Sequence, residues 1–297
     1  MRIAMVVTTY NRPDALAAVL DGCLAQSDAD FEVIVADDGS TQETAALVAG
    51  YAARAPFAIR HVWQEDQGFR AAAIRNRALA ATDADYIIFI DGDCVPPPDF
   101  VASHRRLAEP GWFLSGNRLM LTQAFSEQVL RDKLPIHLWK THDWLQARRR
   151  GQVERLLPLL RLSVPGWLRK QLPRRWRGAK TCNLSAWREN LLRVNGLDES
   201  YTGWGLEDSD LVVRLLRAGI RNKSARFYAP VFHLWHREYD RSQLAENRRR
   251  LDEVLQATHI RALKGVDQYQ EIANPLPQEA GRSPLPPLGK VRMREGS

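Results

Sequence analysis

The chain is predicted to be an α/β protein with a mostly parallel central sheet flanked by helices. Four short apolar runs, at residues 3–8, 31–36, 59–63 and 86–90, have the length of buried strands. Stretches of helical character separate them. Strands that alternate with helices pair in parallel through right-handed crossovers, and both faces of the sheet are then covered.

The elements follow in order. After the run 3–8, Asn11 stands where a helix N-cap would, Pro13 falls in the first turn, and Leu16, Val19, Leu20 and Leu24 recur at helical spacing. The run 31–36 closes on Asp37-Asp38-Gly39-Ser40, with Ser40 or Thr41 placed to cap the next helix. Alanine content makes 69–80 helical, and the run 86–90 stops at Asp91-Gly92-Asp93. Residues 122–178 read as an insertion of helices and basic turns, and 181–186 as a further strand. A helix over 207–218 puts Leu211, Val212, Leu215 and Leu216 on one face and ends at Gly219. An extended stretch at 227–235 and a long charged helix at 239–263 complete a single domain of residues 1–272. The Pro-, Gly- and Arg-rich remainder, 273–297, is expected to be a disordered tail.

Composition and charge narrow the class. An apolar share of 45% with nine Trp supports a real core. No run approaches the ~20 apolar residues of a membrane span, and the N-terminal run is too short for a secretory signal. Cys23, Cys94 and Cys182 show neither paired nor zinc-like spacing, which suits a reducing compartment, so a cytoplasmic protein is expected. The net charge of +7 is concentrated: 148–177 holds ten Lys/Arg against one acid, Glu154, leaving about 7 − 9 = −2 for the rest. Leu156, Leu157, Leu159, Leu160, Trp167, Leu168 and Trp176 interleave with those bases, a composition that fits the anionic inner face of a bacterial cytoplasmic membrane. Pro158, Pro165 and Pro173 forbid one continuous helix there, and a solvated face is the plainer alternative. No nucleic-acid-binding module accompanies the charge, so no nucleic acid is expected.

The candidate chemistry lies in the polar clusters 8–11, 37–40, 65–68 and 91–93, because open parallel sheets bind ligands beyond the carboxyl ends of their strands. Asp91 and Asp93, separated by one glycine at a strand end, can fold around a hard cation that also holds diphosphate oxygens; a plain turn would use the same residues. A carboxylate in Asp37-Asp38-Gly39-Ser40 can accept from a base N–H or a ribose hydroxyl, whereas a helix cap would explain Ser40 but not two adjacent acids. Gly203-Trp204-Gly205-Leu206-Glu207-Asp208 is the most specific string. Its glycines let the backbone turn around an indole that offers a flat face to a pyranose ring. Glu207 and Asp208 then open a helix, where the dipole favours their ionised form and a carboxylate can take a proton from an attacking hydroxyl. No Gly-x-Gly-x-x-Gly, P-loop lysine or His-Glu-x-x-His string occurs.

These pieces together resemble the family 2 glycosyltransferases of GT-A fold, and the later part resembles chondroitin-polymerase and β-galactosyltransferase-type domains. The matching residues are Val7-Thr8-Thr9-Tyr10-Asn11, Ala36-Asp37-Asp38-Gly39-Ser40, Gln67-Gly68 with Arg75-Asn76, Asp91-Gly92-Asp93, and 201–208, in order across roughly 3–236. The resemblance implies an inverting transfer from a nucleotide-sugar donor, most often a UDP-sugar, to a glycan or glycolipid acceptor. Thr8, Tyr10 and Asp38 would hold the nucleoside, Arg75 would lie near the nucleotide, and Asn11, Gln67, Gly68 and Gly92 would complete that site. Gly203, Trp204 and Gly205 would meet sugar or acceptor. Asp91 and Asp93 would hold Mn²⁺ or Mg²⁺, Asp208 would be the base beside Glu207, and His233 or else His236 would supply a third metal ligand. A histidine ligand favours Mn²⁺ over Mg²⁺. Two other functions compete: a sugar nucleotidyltransferase, which needs a basic Gly-rich loop where this chain has Thr8-Thr9-Tyr10-Asn11-Arg12-Pro13, and a non-catalytic glycan- or membrane-docking subunit, which has no need of Asp91, Asp93 and Asp208.

Overall fold

A computed structural model describes residues 1–160, 164–237 and 240–269. The tail expected at 273–297, the last residues of the 1–272 domain, Arg161 of the basic segment and the expected helix start at Tyr239 lie outside the described residues. The first half of the chain reads β1 (Ile3–Thr9), α1 (Pro13–Leu24), β2 (Phe31–Asp37), α2 (Gln42–Ala52), β3 (Ile59–Trp63), α3 (Ala71–Ala80), β4 (Tyr86–Asp91), β5 (Cys94–Val95), α4 (Phe100–Leu107), β6 (Trp112–Ser115) and β7 (Asn117–Met120). The second half reads α5 (Gln123–Arg131), α6 (Thr141–Arg149), α7 (Gly166–Arg169), β8 (Asn183–Trp187), α8 (Arg188–Arg193), α9 (Glu207–Arg217), β9 (Arg221–Ser224), β10 (Pro230–His233) and α10 (Leu244–Gln256).

A seven-stranded sheet runs in the order β3-β2-β1-β4-β8-β6-β9. β3, β2, β1 and β4 are mutually parallel, and β8 enters antiparallel to both β4 and β6. Register pairs Thr8 with both Ala36 and Asp91, and Asp37 with both Thr9 and Trp63, so the polar strand ends sit at one level. Val, Ile, Ala and Met side chains pack both faces. Tyr51, Phe100, Phe125 and Trp144 lie in the cluster on one side, and Ile74, Leu79, Leu211 and Leu215 in the cluster on the other. The insertion at 122–178 joins the first of these: Trp144 stacks on Phe232 with ring centroids 4.5 Å apart, and Phe125, Val129 and Ala147 are buried with it.

A second, three-stranded sheet in the order β5-β10-β7 shapes the functional edge. β10 pairs antiparallel to β5 and parallel to β7, placing His233 opposite Cys94 and Met120. The Leu234 amide donates to the Asp93 carbonyl at 2.9 Å. The segment leaving β4 is thereby stitched beside the histidine strand, although 140 residues separate Asp93 from His233 in the chain.

Several boundaries differ from expectation. Asn11 does not cap α1: it has φ 46°, and its side-chain oxygen accepts the Thr41 N–H at 3.0 Å, so it serves the start of α2 instead. Thr41 is the N-cap of α2 but makes no side-chain cap bond, and the Ser40 hydroxyl accepts the Asn11 N–H at 2.8 Å. The charged helix begins only at Leu244 and ends at Gln256, and the extended stretch shortens to β10 because Phe227 turns with φ 63°.

α9 carries a buried ion pair. Arg214, fully buried, donates to Asp210 Oδ2 at 2.8 and 2.5 Å and to the carbonyls of Val194 and Gly196 at 2.6 and 2.8 Å. Removing one member of such a pair strands the other without solvent. Arg214→Met is expected to lower the unfolding free energy by ~3–5 kcal/mol in urea titration, and a loss below ~1 kcal/mol would contradict the buried network.

Candidate active site

The strand ends converge on a cavity of ≈ 400 Å³, lined by Thr8, Tyr10, Asp38, Arg75, Asp91, Gly92 and Asp93 from the first half of the sequence and by Trp204, Gly205, Glu207, Asp208, His233 and His236 from the second. Asp93 and Asp208 therefore share one cleft. Asn11, Gln67, Gly68 and Gly203 do not line it. Asn11 locks loop to helix as described, Gln67 donates to Glu65 at 3.3 Å in an exposed turn, and Gly68 gives its N–H to Asp66 in that turn. Gly203 donates its N–H to the Phe69 carbonyl at 3.1 Å, and with φ 69° it turns the loop that carries Trp204.

Tight backbone approach explains two glycines. A Cβ on Gly92 would stand 3.0 Å from the Thr8 carbonyl and the Thr9 side chain, so this position lets β4 close against β1. Gly39 has φ 100°, and a Cβ there would meet Asp66 at 2.5 Å. The loop 37–40 is fixed further by Asp37, fully buried, which accepts the Ser40 N–H at 2.8 Å and pairs with His61 Nε2 at 2.8 Å. Asp38 is then presented to the cavity with both oxygens engaged, by Gln64 Nε2 at 2.5 Å and the Arg70 N–H at 2.7 Å. Burial raises its pKa, and these two donors oppose the rise. Tyr10 reaches across to Asp66 at 2.8 Å.

Arg75 is the centre of the charge arrangement. Only 4% exposed, it donates from Nε to Thr8 Oγ1 at 3.0 Å, from Nη2 to Asp91 Oδ1 at 2.9 Å and from Nη1 to Glu207 Oε1 at 3.0 Å. Its neighbour Asn76, fully buried, bonds the Leu197 carbonyl and amide at 2.8 and 2.9 Å and so anchors the chain leading to the Trp204 loop. Glu207 is thus a partner of Arg75. Asp208 accepts the Ser209 hydroxyl at 3.3 Å, and its pKa is pushed up to about 7, mainly by burial and then by the Glu207 charge, against Lys180 and Arg75. A carboxyl poised near neutrality can take a proton at physiological pH. Leu206, the N-cap of α9, has φ 79°, and Asn247 of α10 donates to the carbonyls of Thr202 and Gly205 at 3.0 and 3.1 Å, fixing the approach to α9.

At the exit of β4, Asp93, Cys94 and His233 bring one ligand atom each within 4.8 Å of one another. His233 Nε2 lies 3.6 Å from Asp93 Oδ1, and His236 Nε2 lies 3.5 Å from Oδ2. Ligands ~2.1 Å from a common ion stand roughly 3.0–3.4 Å apart, so Asp93 Oδ1 and His233 fit one divalent cation after a small contraction, while His236 meets the other Asp93 oxygen. Burial lowers the His233 pKa, which keeps a lone pair available for ligation. Its Nδ1 is buried with no hydrogen-bond partner among the described residues. A carboxylate with one or two imidazoles suits Mn²⁺ better than Mg²⁺. Asp91 differs from the simplest reading of the acidic pair, since one of its oxygens is committed to Arg75.

Sequence reasoning missed Arg118, Lys180 and Arg241, which also line the cavity. Arg118 sits on β7, half-buried, with a contact to Cys182 Sγ at 3.7 Å, and Arg241 lies over the Trp204 ring at 5.0 Å. None belongs to a motif: each arrives from an element whose neighbour is set only by tertiary pairing.

Comparison with known proteins bears on the family and the fold. A family model described as glycosyl transferase family 2 matches residues 4–147, and one described as the N-terminal domain of galactosyltransferase matches 169–237. Validoxylamine A glucosyltransferase of Streptomyces hygroscopicus subsp. jinggangensis is 31% identical over 73% of this chain and 52% of its own length. A chondroitin synthase of Escherichia coli is 27% identical over 73% of this chain and 32% of its own. The chain therefore spans about half or less of the length of these curated relatives. Among solved structures, the mannosyltransferase PcManGT from Pyrobaculum calidifontis in complex with GDP-Man and Mn²⁺ matches with TM-score 0.54 at 20% identity, over 86% of this chain and 62% of that one. S. aureus TarS 1-349 in complex with UDP-GlcNAc matches with TM-score 0.54 at 14% identity, over 91% and 69%.

Ion binding by the histidine wall is directly testable. His233→Ala and Asp93→Asn are each expected to weaken Mn²⁺ binding ~10-fold or more in a calorimetric titration, the scale on which metal sites respond to lost support. Unchanged affinity in both variants would remove the ion from this wall. The motif order, the sheet topology and the shared cavity lead to one assignment: the chain belongs to the family 2 glycosyltransferases and has the GT-A fold.

Proposed function

We propose that the protein is an inverting, metal-dependent transferase that moves a sugar from a nucleoside diphosphate, UDP by preference, to a hydroxyl of a cell-surface glycan precursor. Such a precursor would belong to lipopolysaccharide, capsule or exopolysaccharide. The observation that carries the reading is the placement of Asp93 with its histidines and of Asp208 on the walls of one cavity, with Arg75 bridging Asp91 to Glu207. A one-step displacement requires a leaving diphosphate neutralised on one side of the anomeric carbon and a base on the other.

In this reading Asp38 and Tyr10 face the nucleoside, Asp93 with His233 or His236 would hold Mn²⁺ or Mg²⁺, and Asp91 would face the diphosphate. When bound, the ion supplies charge neutralisation to the departing diphosphate. Asp208 accepts the proton of the attacking hydroxyl, and Arg75 keeps Glu207 and Asp91 at a fixed separation so that base and leaving group stay aligned. Trp204, stacked under Arg241, offers the flat face against which a pyranose ring rests. Solved neighbours hold GDP-Man in one case and UDP-GlcNAc in another, which supports a nucleotide-sugar donor. The loop after β1 has neither the lysine nor the glycines of a triphosphate cradle, so the nucleotidyltransferase reading gains no support.

We place the reaction in the cytoplasm, on an acceptor carried at the membrane's inner face. The buried thiols Cys23, Cys94 and Cys182 suit a reducing setting, and no helix among the described residues is long and apolar enough to cross a membrane.

The test is acceptor-dependent release of UDP from a panel of UDP-sugars, with GDP-sugars as the contrast, with and without Mn²⁺. Asp208→Asn is expected to retain UDP binding while transfer falls ~10²–10⁴-fold, the range for loss of a general base. Because Asp208 must be ionised to act, wild-type kcat/KM should fall tenfold per pH unit below about 7. Undiminished transfer by the variant, or a rate independent of metal, would overturn the mechanism.

A further inference from the structure

The segment 164–178 is built the wrong way round for a solvated turn. On α7, the charged Arg169 points inward: it is buried, donates to the carbonyls of Ser224 and Arg226 at 3.2 and 2.9 Å, and lies over the Tyr228 ring at 5.0 Å. Lys170 is drawn to Glu109 at 2.5 Å. These contacts clamp the segment to the turn after β9. The apolar residues meanwhile face out, with Trp167 64%, Leu168 43% and Leu172 59% exposed. An indole and two leucines on one short stretch, held outward by a buried arginine, form an apolar surface that none of the described residues covers.

Beside them the charges are unbalanced. Arg174, Arg175, Arg177 and Arg226 are all exposed. A Cβ on Gly178 would stand 3.9 Å from the Nη2 atoms of both Arg175 and Arg226, so two guanidinium groups converge on one point. Neither pairs with a carboxylate among the described residues, and like charges this close favour an anion between them. The two observations are independent, and both describe an interfacial surface: apolar side chains at headgroup depth, ringed by bases.

We propose that residues 166–178 together with Arg226 form a docking surface for an anionic lipid bilayer. Trp167, Leu168 and Leu172 enter the headgroup boundary, and Arg174, Arg175, Arg177 and Arg226 engage lipid phosphates. This gives the enzyme its own contact with the surface on which a lipid-linked acceptor would be presented. Two bases of the sequence segment, Arg169 and Lys170, are taken by the fold and do not contribute.

The experiment is vesicle co-sedimentation of the full chain with phosphatidylcholine alone and with phosphatidylcholine–phosphatidylglycerol mixtures, across a salt series. Binding to the anionic vesicles and little to the neutral ones is expected, weakening as salt rises. Arg174→Gln with Arg175→Gln and Arg177→Gln should weaken it roughly 100-fold, since each base near an anionic surface contributes about a fivefold factor. Trp167→Ser with Leu172→Ser should weaken it at every salt concentration, and the circular dichroism of both variants should match the parent because these side chains are exposed. Equal binding to neutral vesicles, unaltered binding by either variant, release by millimolar inorganic phosphate, or RNA binding of equal strength that ignores Trp167 would each overturn the proposal. Vesicle binding needs neither donor nor turnover, so its failure would leave the transfer reaction standing, and an inert enzyme would leave the docking surface standing.

Discussion

The guanidinium of Arg75 holds three chain segments to one geometry: the end of β1 through Thr8, the end of β4 through Asp91, and the start of α9 through Glu207. A buried charge without partners is costly, and a planar fork that satisfies two carboxylates and a hydroxyl removes that cost only when all three stand in place. The helix that carries Arg75 buries Ala71, Ala72 and Ala73 in its first turn. Asp91 shows the balance of forces. Burial and the nearby Asp93 raise its pKa, while Arg75 opposes both.

The two acids of the proposed reaction come from different elements. Asp93 belongs to the strip that pairs with β10 and meets His233 there, while Asp208 follows Glu207 on α9. Between them the cavity is walled by residues whose backbones are locked from behind, by Asn76 on the loop at 197 and by Asn247 on the loop at 205. Catalysis by position requires this rigidity, because a base displaced by an ångström is a poor base.

Much of this was legible in the sequence, for physical reasons that can be named. β1, β2, β3 and β4 are buried strands with abrupt polar ends, and a parallel sheet forces those ends to one edge. Asp38, Asp91 and Asp93 could therefore be brought together before any coordinates, and the resemblance to family 2 glycosyltransferases added Asp208. What could not be read was pairing over long separations. Asn11 looks like a cap for the helix that follows it, yet its side chain turns to Thr41, because a left-handed φ aims it away from α1. Glu207 looks like half of an acid pair at a helix start, and only the fold reveals its partner Arg75, 132 residues earlier. Arg118 and Lys180 carry no motif, and the small sheet and the approach to β8 bring them to the cavity. The basic segment was visible as composition, but the inward turn of Arg169 and the outward turn of Trp167 were not.

In the proposed mechanism, Arg75 couples the diphosphate end of the site to the helix bearing the base. A double-mutant cycle with Arg75→Met, Glu207→Gln and the pair, read on both unfolding free energy and transfer kcat/KM, measures that coupling directly. Strong non-additivity is expected, a coupling of ~2 kcal/mol or more, because either single change already breaks the shared clamp. Additivity within ~0.5 kcal/mol on both readouts would mean that the two residues act independently, and the account would be wrong.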